Sequence, residues 1–405
     1  LDESREVRTA DASVVPSKSP RRALATRRPL APGIYLIRNI GKSAPLAAVI
    51  MLAVLLVAGV ISMIDSIPYS IRTIYGYSRQ MLGVSPRGDP TLTPKILDDI
   101  KRNSPVPIER VMNCRVSTTQ IQSIVGKWPF YVLGLGQDDM AYYLKRQGSD
   151  GLNGRLPKPG KPEVLVSETV ARNLNLKLGS VLLGPDKDMS WSPYDVRVVG
   201  IAHTESWLIV NSIEYQRDNY FPPVDLGMVF AKDLHNQNIL DHWAVKHFKG
   251  QRAAAVAYFQ IEKDTDTMFK TLFEILNVVI GTLVIVITFM MGTLMNIYQT
   301  QRLVEFGLLQ AIGYTKKNLI QRVMAETVCI VLIGWALGIG LSLSLLNVVK
   351  SLMMDPHAYA LDIYDPIAYR YTIPLPVMIL LVATLTVTLR FRKFDPVGVV
   401  ERRLV

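Results

Sequence analysis

The sequence predicts an α-helical membrane protein with four transmembrane helices and an α+β domain, on the outer side, inserted between helices 1 and 2. Three observations predict it. Four charge-poor apolar runs, 45–64, 272–297, 327–349 and 373–389, are each long enough to cross a ~30 Å hydrocarbon core at about 1.5 Å per residue. Residues 67–268, between the first two runs, have the mixed composition of a folded domain rather than of a linker. Finally, basic residues gather beside the runs. Segments 1–44, 299–326 and 390–405 hold nine, four and five Lys/Arg against four, two and two acids, whereas 67–268 holds 24 against 21. Nearly all of the net charge of +11 thus sits where positive-inside topology puts it. Both termini and the 299–326 loop are expected in the cytoplasm, and 67–268 outside. No basic-aromatic platform accompanies the charge, which argues against a nucleic-acid partner.

Taken in order, residues 1–31 are Arg-, Ser- and Pro-rich and read as a disordered cytoplasmic arm. Its Arg21, Arg22, Arg27 and Arg28 suit anionic lipid headgroups. The 32–66 segment holds an interfacial helix, Pro32–Asn39, and then the first span, which Asp65 and Pro68 should end. This first apolar run is too long for the core of a cleavable signal and reads as a signal-anchor. Gly41-Lys42-Ser43 resembles the end of a phosphate loop, but Leu36 stands where its first glycine is needed, so it reads as interfacial.

Within 67–268, Thr93–Asn103 predicts a helix, with Pro94 at its start and Ile96, Leu97 and Ile100 on one face. Strands are expected around 111–118 and 130–135, a helix over 138–147, and a Gly/Pro/Lys-rich loop over 148–162. Glu163–Gly184 reads as strand, helix, glycine turn and strand, and Asp195–Ile201 as a further strand. The second span (269–298) should begin as a stalk near Asp266, because Glu262–Phe273 is free of Pro and Gly. The third (327–349) carries Gly334-x-x-x-Gly338 and Gly340, which permit close helix packing. A short external loop (350–372), the fourth span (373–390) and a basic tail (391–405) complete the chain.

The loop between the second and third spans is more than a connector. Leu303, Val304, Leu308 and Ile312 recur at helical spacing, Gly313 stands at a C-cap position, and Thr315 can cap a second helix. The expected shape is a short helix, a stop and a restart, suited to docking on a partner.

The run Arg302–Gly313, RLVEFGLLQAIG, followed by Glu326 and a glycine-rich span, resembles the REIGILRALGA-type signature of FtsX/MacB-like ABC permeases. Arg302, Glu305, Gly307, Ala311 and Gly313 fall on it; Gln310 stands where a basic residue is commoner, and Tyr314 where a small one is. The order of elements over 163–201 is similar to that of the MacB extracytoplasmic domain. The resemblance implies a membrane-proximal porter part (about 70–115 with 225–265) and a distal, sabre-like part between. It also implies ATPase coupling through Arg302, Glu305, Phe306, Gly307, Leu309, Ala311, Gly313 and Tyr314, and a tail contact through Asp395 and Pro396. Such a permease works by mechanotransmission with two copies of a separate ABC ATPase subunit, which holds ATP and Mg. A second permease copy or paralogue, a membrane-fusion adaptor or lipoprotein, and membrane lipid complete the implied partners. The implied location is the bacterial cytoplasmic membrane. Export of a lipid, lipoprotein, peptide or hydrophobic compound is one implied role; mechanical activation of an external cell-wall hydrolase is the other.

No catalytic or metal site is expected. His242 and His247 are off register for a shared ion, and no CxxC, HExxH or G-x-S-x-G sequence occurs. Asp98-Asp99 and Asp138-Asp139 are adjacent pairs, whose side chains diverge on a helix. Cys114 and Cys329 should lie on opposite sides of the polar boundary, so no disulfide is expected.

Overall fold

In the computed structural model, residues 36, 38–220 and 224–392 are described. The basic arm, most of the 32–39 segment, and Asp395 and Pro396 lie outside them.

The chain rises through α1 (Ile40–Ile74) and a 3-10 turn (Tyr75–Gln80) into β1 (Leu82–Pro86), α2 (Thr93–Asn103), β2 (Ile108–Ser123) and β3 (Gly126–Leu135). It continues through α3 (Gln137–Arg146), β4 (Leu152–Gly154), β5 (Glu163–Ser167), α4 (Glu168–Asn173), β6 (Val181–Leu183) and β7 (Val196–Ala202). Next come β8 (Ile209–Ser212), α5 (Ile213–Asn219), β9 (Leu226–Ala231), α6 (Leu234–His247) and β10 (Ala253–Val256). The chain then re-enters the helical region as α7 (Tyr258–Thr300), α8 (Leu303–Ala311), α9 (Lys316–Val349), α10 (Pro366–Arg370) and α11 (Pro374–Arg392). Four of these helices are long and apolar enough to cross a membrane, and the mixed α/β domain is inserted between the first two.

The first span does not stop at Asp65 or Pro68. Proline removes one helical donor and crowds the carbonyl four residues back, yet α1 continues to Ile74. Packing on both sides of the proline outweighs that loss: Ser66, Pro68, Ser70, Ile71 and Ile74 are all buried, and the Ser66 hydroxyl donates to the Met63 carbonyl. The stalk likewise starts earlier than expected, at Tyr258. As one 43-residue helix, α7 is ~65 Å long. The third span is continuous with the restarted loop helix, because the Thr315 hydroxyl accepts from the Asn318 N–H and nothing interrupts α9 after it.

Gly334 and Gly338 set how closely α9 lies against α1. A Cβ at Gly334 would stand 2.8 Å from the Ala47 carbonyl oxygen, and one at Gly338 would stand 2.6 Å from the Val54 Cβ. The helices meet backbone to side chain, and the contact is mostly dispersion. Gly340 differs from expectation: a Cβ there would meet nothing within 4 Å, because it points away from α1.

In the inserted domain, β2 changes neighbours along its length. Up to Cys114 it pairs with β9, in the order β10-β1-β9-β2; from Arg115 it pairs with β3, which leads through β8, β5 and β7 to β4. Strand pairing therefore groups 82–114 with 226–256 and leaves 115–212 as the outer sheet. The crossover is pinned by Asp225, which accepts from Arg115 Nε at 2.6 Å and from Arg217 Nη2 at 2.7 Å. Burial raises the Asp225 carboxyl, but the two arginines outweigh it and its pKa falls below the ordinary value. Helices α2 and α6 cover one face of the first sheet through Ile96, Leu97, Ile100, Leu240 and Ala244. The 148–162 loop is not wholly irregular, since β4 within it pairs with β7.

Candidate functional site

The loop between α7 and α9 is clamped from inside. Arg302, at the N-cap of α8, is only 1% exposed, and its Nη1 donates to Glu326 Oε2, also 1% exposed. Its Nε donates to Glu305 at 3.1 Å, and its guanidinium lies 5.4 and 5.1 Å from the centres of the Tyr298 and Phe306 rings. Arg322 Nε donates to the second Glu326 oxygen at 3.2 Å. Tyr298 belongs to α7, Arg302 and Glu305 to α8, and Arg322 and Glu326 to α9. One buried ionic cluster thus joins the end of one rod, the loop helix and the start of the next rod. Below it, Phe306 packs on Leu319 and Val323 of α9 and on Val387 and Phe391 of α11. Gly313 takes φ +104° at the stop, a value that L side chains rarely adopt.

This burial separates the sequence-derived residues into two sets. Arg302, Phe306 and Gly307 are buried, and Leu309 and Tyr314 pack partly against the α9–α11 contact. Only Glu305, Ala311 and Gly313 of the eight are exposed. The outer face is instead built on Leu308 and Ile312, 55% and 77% exposed, which share the α8 surface with Glu305. Both belong to the apolar periodicity of the loop, but periodicity alone does not say which apolar residues face inward. Lys316, Lys317 and Asn318 continue the exposed surface beyond the turn.

The inserted domain is held at three places, not at the two chain crossings alone. At the first, α1 and α7 are tied where they enter it: Arg72 pairs with Asp266, and Arg79 Nη2 donates to the Tyr258 hydroxyl at 2.8 Å. At the second, the 3-10 turn after α1 packs into the domain core through Tyr77 and Met81. The third is non-covalent. The top of α9 runs on through Lys350–Met354 to His357, whose carbonyl accepts from Asn173 Nδ2 at 2.7 Å. Asn173 also bridges to the Gln122 backbone, and Ile124, at the β2–β3 turn, packs against Leu346, Met354, Leu361 and Ile363. The rod that begins at the loop therefore ends under the outer sheet.

The remaining polar candidates have local partners. His247 Nε2 lies 2.8 Å from Asp99, and His242 stacks on Phe259. Asp139 accepts from Arg110. No group of three or more His, Cys, Asp or Glu able to hold a metal ion occurs among the described residues. Cys114 is buried among apolar side chains, and burial pushes its thiol up to about 12.

Residues 277–396 match the FtsX-like permease C-terminal family. The periplasmic region of MacB from Actinobacillus actinomycetemcomitans is similar to this chain at 14% identity, over 48% of this chain and 95% of that one, with a TM-score of 0.29. The extracellular domain of the noncanonic ABC-type transporter YknZ, from Gram-positive bacteria, is similar at 12% identity, over 44% of this chain and 99% of that one, with a TM-score of 0.28. No curated protein matches the chain.

Proposed function

We propose that this chain, an FtsX-like permease over residues 277–396, is the membrane subunit of an ATP-driven ABC-type export complex that works by transmitting motion. The ATPase subunits dock from the cytoplasm on the exposed face of α8, at Glu305, Leu308, Ala311 and Ile312. Their closure shifts α8, and the Arg302–Glu326 cluster forces α7 and α9 to follow. Both helices are continuous from the loop to the inserted domain, so the domain moves with the loop and acts on cargo outside the membrane. The observation that carries this reading is the buried cluster. A docking helix attached only by flexible ends would absorb the push, whereas this one is bonded to both rods.

Energy enters from outside the chain in this reading, since the two ATPase copies hold ATP and Mg. A second permease copy or paralogue supplies the other half of the membrane assembly. The experiment is copurification: Leu308→Arg and Ile312→Arg each place a charge on the docking face without touching a buried residue. Each should lose the ATPase subunit while the chain's thermal unfolding stays as in the wild type. ATPase retention by both variants at wild-type level would refute docking on α8.

A further inference from the structure

We propose that a hollow at the junction of the rods and the inserted domain binds a single alkyl chain, taken from the outer leaflet along one face of α7. The proposal rests on the reading of the chain as a membrane permease with its inserted domain outside. The hollow has a volume of about 250 Å³ and is lined by Tyr77, Met81, Gly83, Met228, Val256 and Ile261 among others. Its origin is legible in the strand alternation. On β1, Leu82 and Val84 turn toward α2 and α6, so Gly83 and Ser85 turn the other way. On β10, Ala253 and Ala255 face the helices, leaving Ala254 and Val256. The neighbouring strands fill the same face with Met112, Cys114, Met228 and Phe230. Two strands that carry glycine, serine and alanine beside two that carry large side chains leave a hollow with an apolar wall.

A second observation identifies what enters it. The stalk part of α7 is polar over most of its surface, with Lys263, Asp264, Asp266, Thr267 and Lys270 exposed. One line along it is not. Ile261, Met268, Leu272, Ile275 and Val279 recur at spacings of seven, four, three and four, which is one helical face. Met268, Leu272, Ile275 and Val279 are 62, 37, 58 and 55% exposed, and Ile261 lies on the lining of the hollow. This line is continuous with the lipid-facing surface of the second span and ends in the hollow, ~16 Å up the helix from Leu272. An apolar track that starts in hydrocarbon and ends in an apolar hollow suits a molecule that never leaves an apolar contact. A saturated chain of a membrane amphiphile is such a molecule. At the far end, Val256, half exposed, and Tyr131 form the rim. Because the hollow is walled by the end of α1 on one side and the start of α7 on the other, relative movement of the rods changes its width.

The test uses the full chain in lipid nanodiscs containing a phospholipid with a diazirine on one acyl chain. After illumination and digestion, wild-type adducts should appear on peptides holding Met81 or Met228, in addition to the spans. Gly83→Leu fills the hollow; a Cβ there stands 3.5 Å from the Val256 oxygen, an ordinary contact, so the strand can keep its path. It should lose the hollow adducts and keep those on α11. Met268→Glu interrupts the track at an exposed position, needs no core change, and should lose the same adducts. Absence of hollow adducts in the wild type, or their persistence in both variants, would overturn the proposal. So would efficient Met268→Cys disulfide formation between two chains, which would make the track an interface between copies. No ATPase or transport is read, so failure here leaves docking on α8 untouched, and loss of α8 docking leaves this result standing.

Discussion

Replacing Arg302 by Met, Glu326 by Leu, and both together measures how firmly the loop is bonded to the rods. Both side chains are 1% exposed, and each is the other's closest opposite charge. Removing one leaves a buried charge without its main partner, which costs about 3–5 kcal/mol; replacing both with apolar groups of similar volume is close to neutral. Arg322 and Glu305 lower the cost for whichever charge remains, since Arg322 still reaches Glu326 and Glu305 still reaches Arg302. We therefore expect about 3 kcal/mol for each single variant and under ~1.5 kcal/mol for the double, a coupling of several kcal/mol between contacting residues. The assay is unfolding in mixed micelles with increasing SDS, together with copurification of the ATPase subunit. Copurification should survive in all three variants, because Leu308 and Ile312 are unchanged, while the ATP-driven response of the inserted domain should fail in the singles. Single variants costing less than ~1 kcal/mol, or effects that simply add in the double, would refute the view of this cluster as a rigid joint.

The contact between α9 and the outer sheet should transmit force: Asn173→Ala combined with Ile124→Asp should leave ATPase binding intact and weaken the ATP-driven movement of the domain, read by fluorescence between the two. Gly334→Val and Gly338→Val should each cost about 1–3 kcal/mol by overpacking α1 against α9, whereas Gly340→Val should unfold like the wild type in the same SDS titration. Asp241 is buried, accepts from Gln237 at 2.8 Å, and burial raises its carboxyl from 3.8 to about 7. The folded domain thus holds this proton more tightly than the unfolded chain does. Stability from this group is present below pH ~4 and is lost as pH rises to about 7, on the order of 3–4 kcal/mol at ~1.4 kcal/mol per pH unit. Asp241→Asn should remove that slope in denaturant titrations between pH 4 and 7.5, and an unchanged slope would exclude Asp241 as its source. Cys114 should resist maleimide in the folded chain at pH 8 and react only on unfolding, which mass spectrometry can follow.

Much of the fold is legible in the sequence because local signals and burial agree. Pro94 with Ile96, Leu97 and Ile100 places α2 over Thr93–Asn103, where it is found. Gly313 and Thr315 mark the stop and restart of the loop, and both act as such. Local signals fail where tertiary packing decides. Pro68 reads as an exit because a proline weakens an isolated helix, but the packed residues around it hold α1 together. Arg302 reads as a surface residue because charged residues rarely lie fully buried; its burial depends on Glu326, 24 residues away on another helix. The α8 sequence is apolar on more than one side, since one side packs on α9 and α11 and another is exposed. Hydrophobic pattern therefore points to Leu303, Phe306, Leu308 and Ile312 alike and cannot orient them. The link from Asn173 to His357 spans 184 residues and has no sequence signal at all.

Transmission through the rods is tested most directly by a distance across the inserted domain and the external loop. Spin labels at Tyr194 and Tyr364, both exposed, in a Cys114→Ala, Cys329→Ala background, would be read by pulsed electron resonance with the ATPase subunit bound, with and without trapped ATP. The stalk would be softened at Lys263 and Asp264, both exposed, rather than at Met268 and Phe269, because Phe269 is buried and its loss would also remove packing. Two glycines there cost ~1 kcal/mol each in helix propensity. Rigid transmission predicts a distance distribution that shifts on ATP trapping in the wild type, and a shift that shrinks or vanishes with Lys263→Gly and Asp264→Gly together. An identical distribution with and without ATP, or a full shift in the softened stalk, would contradict it.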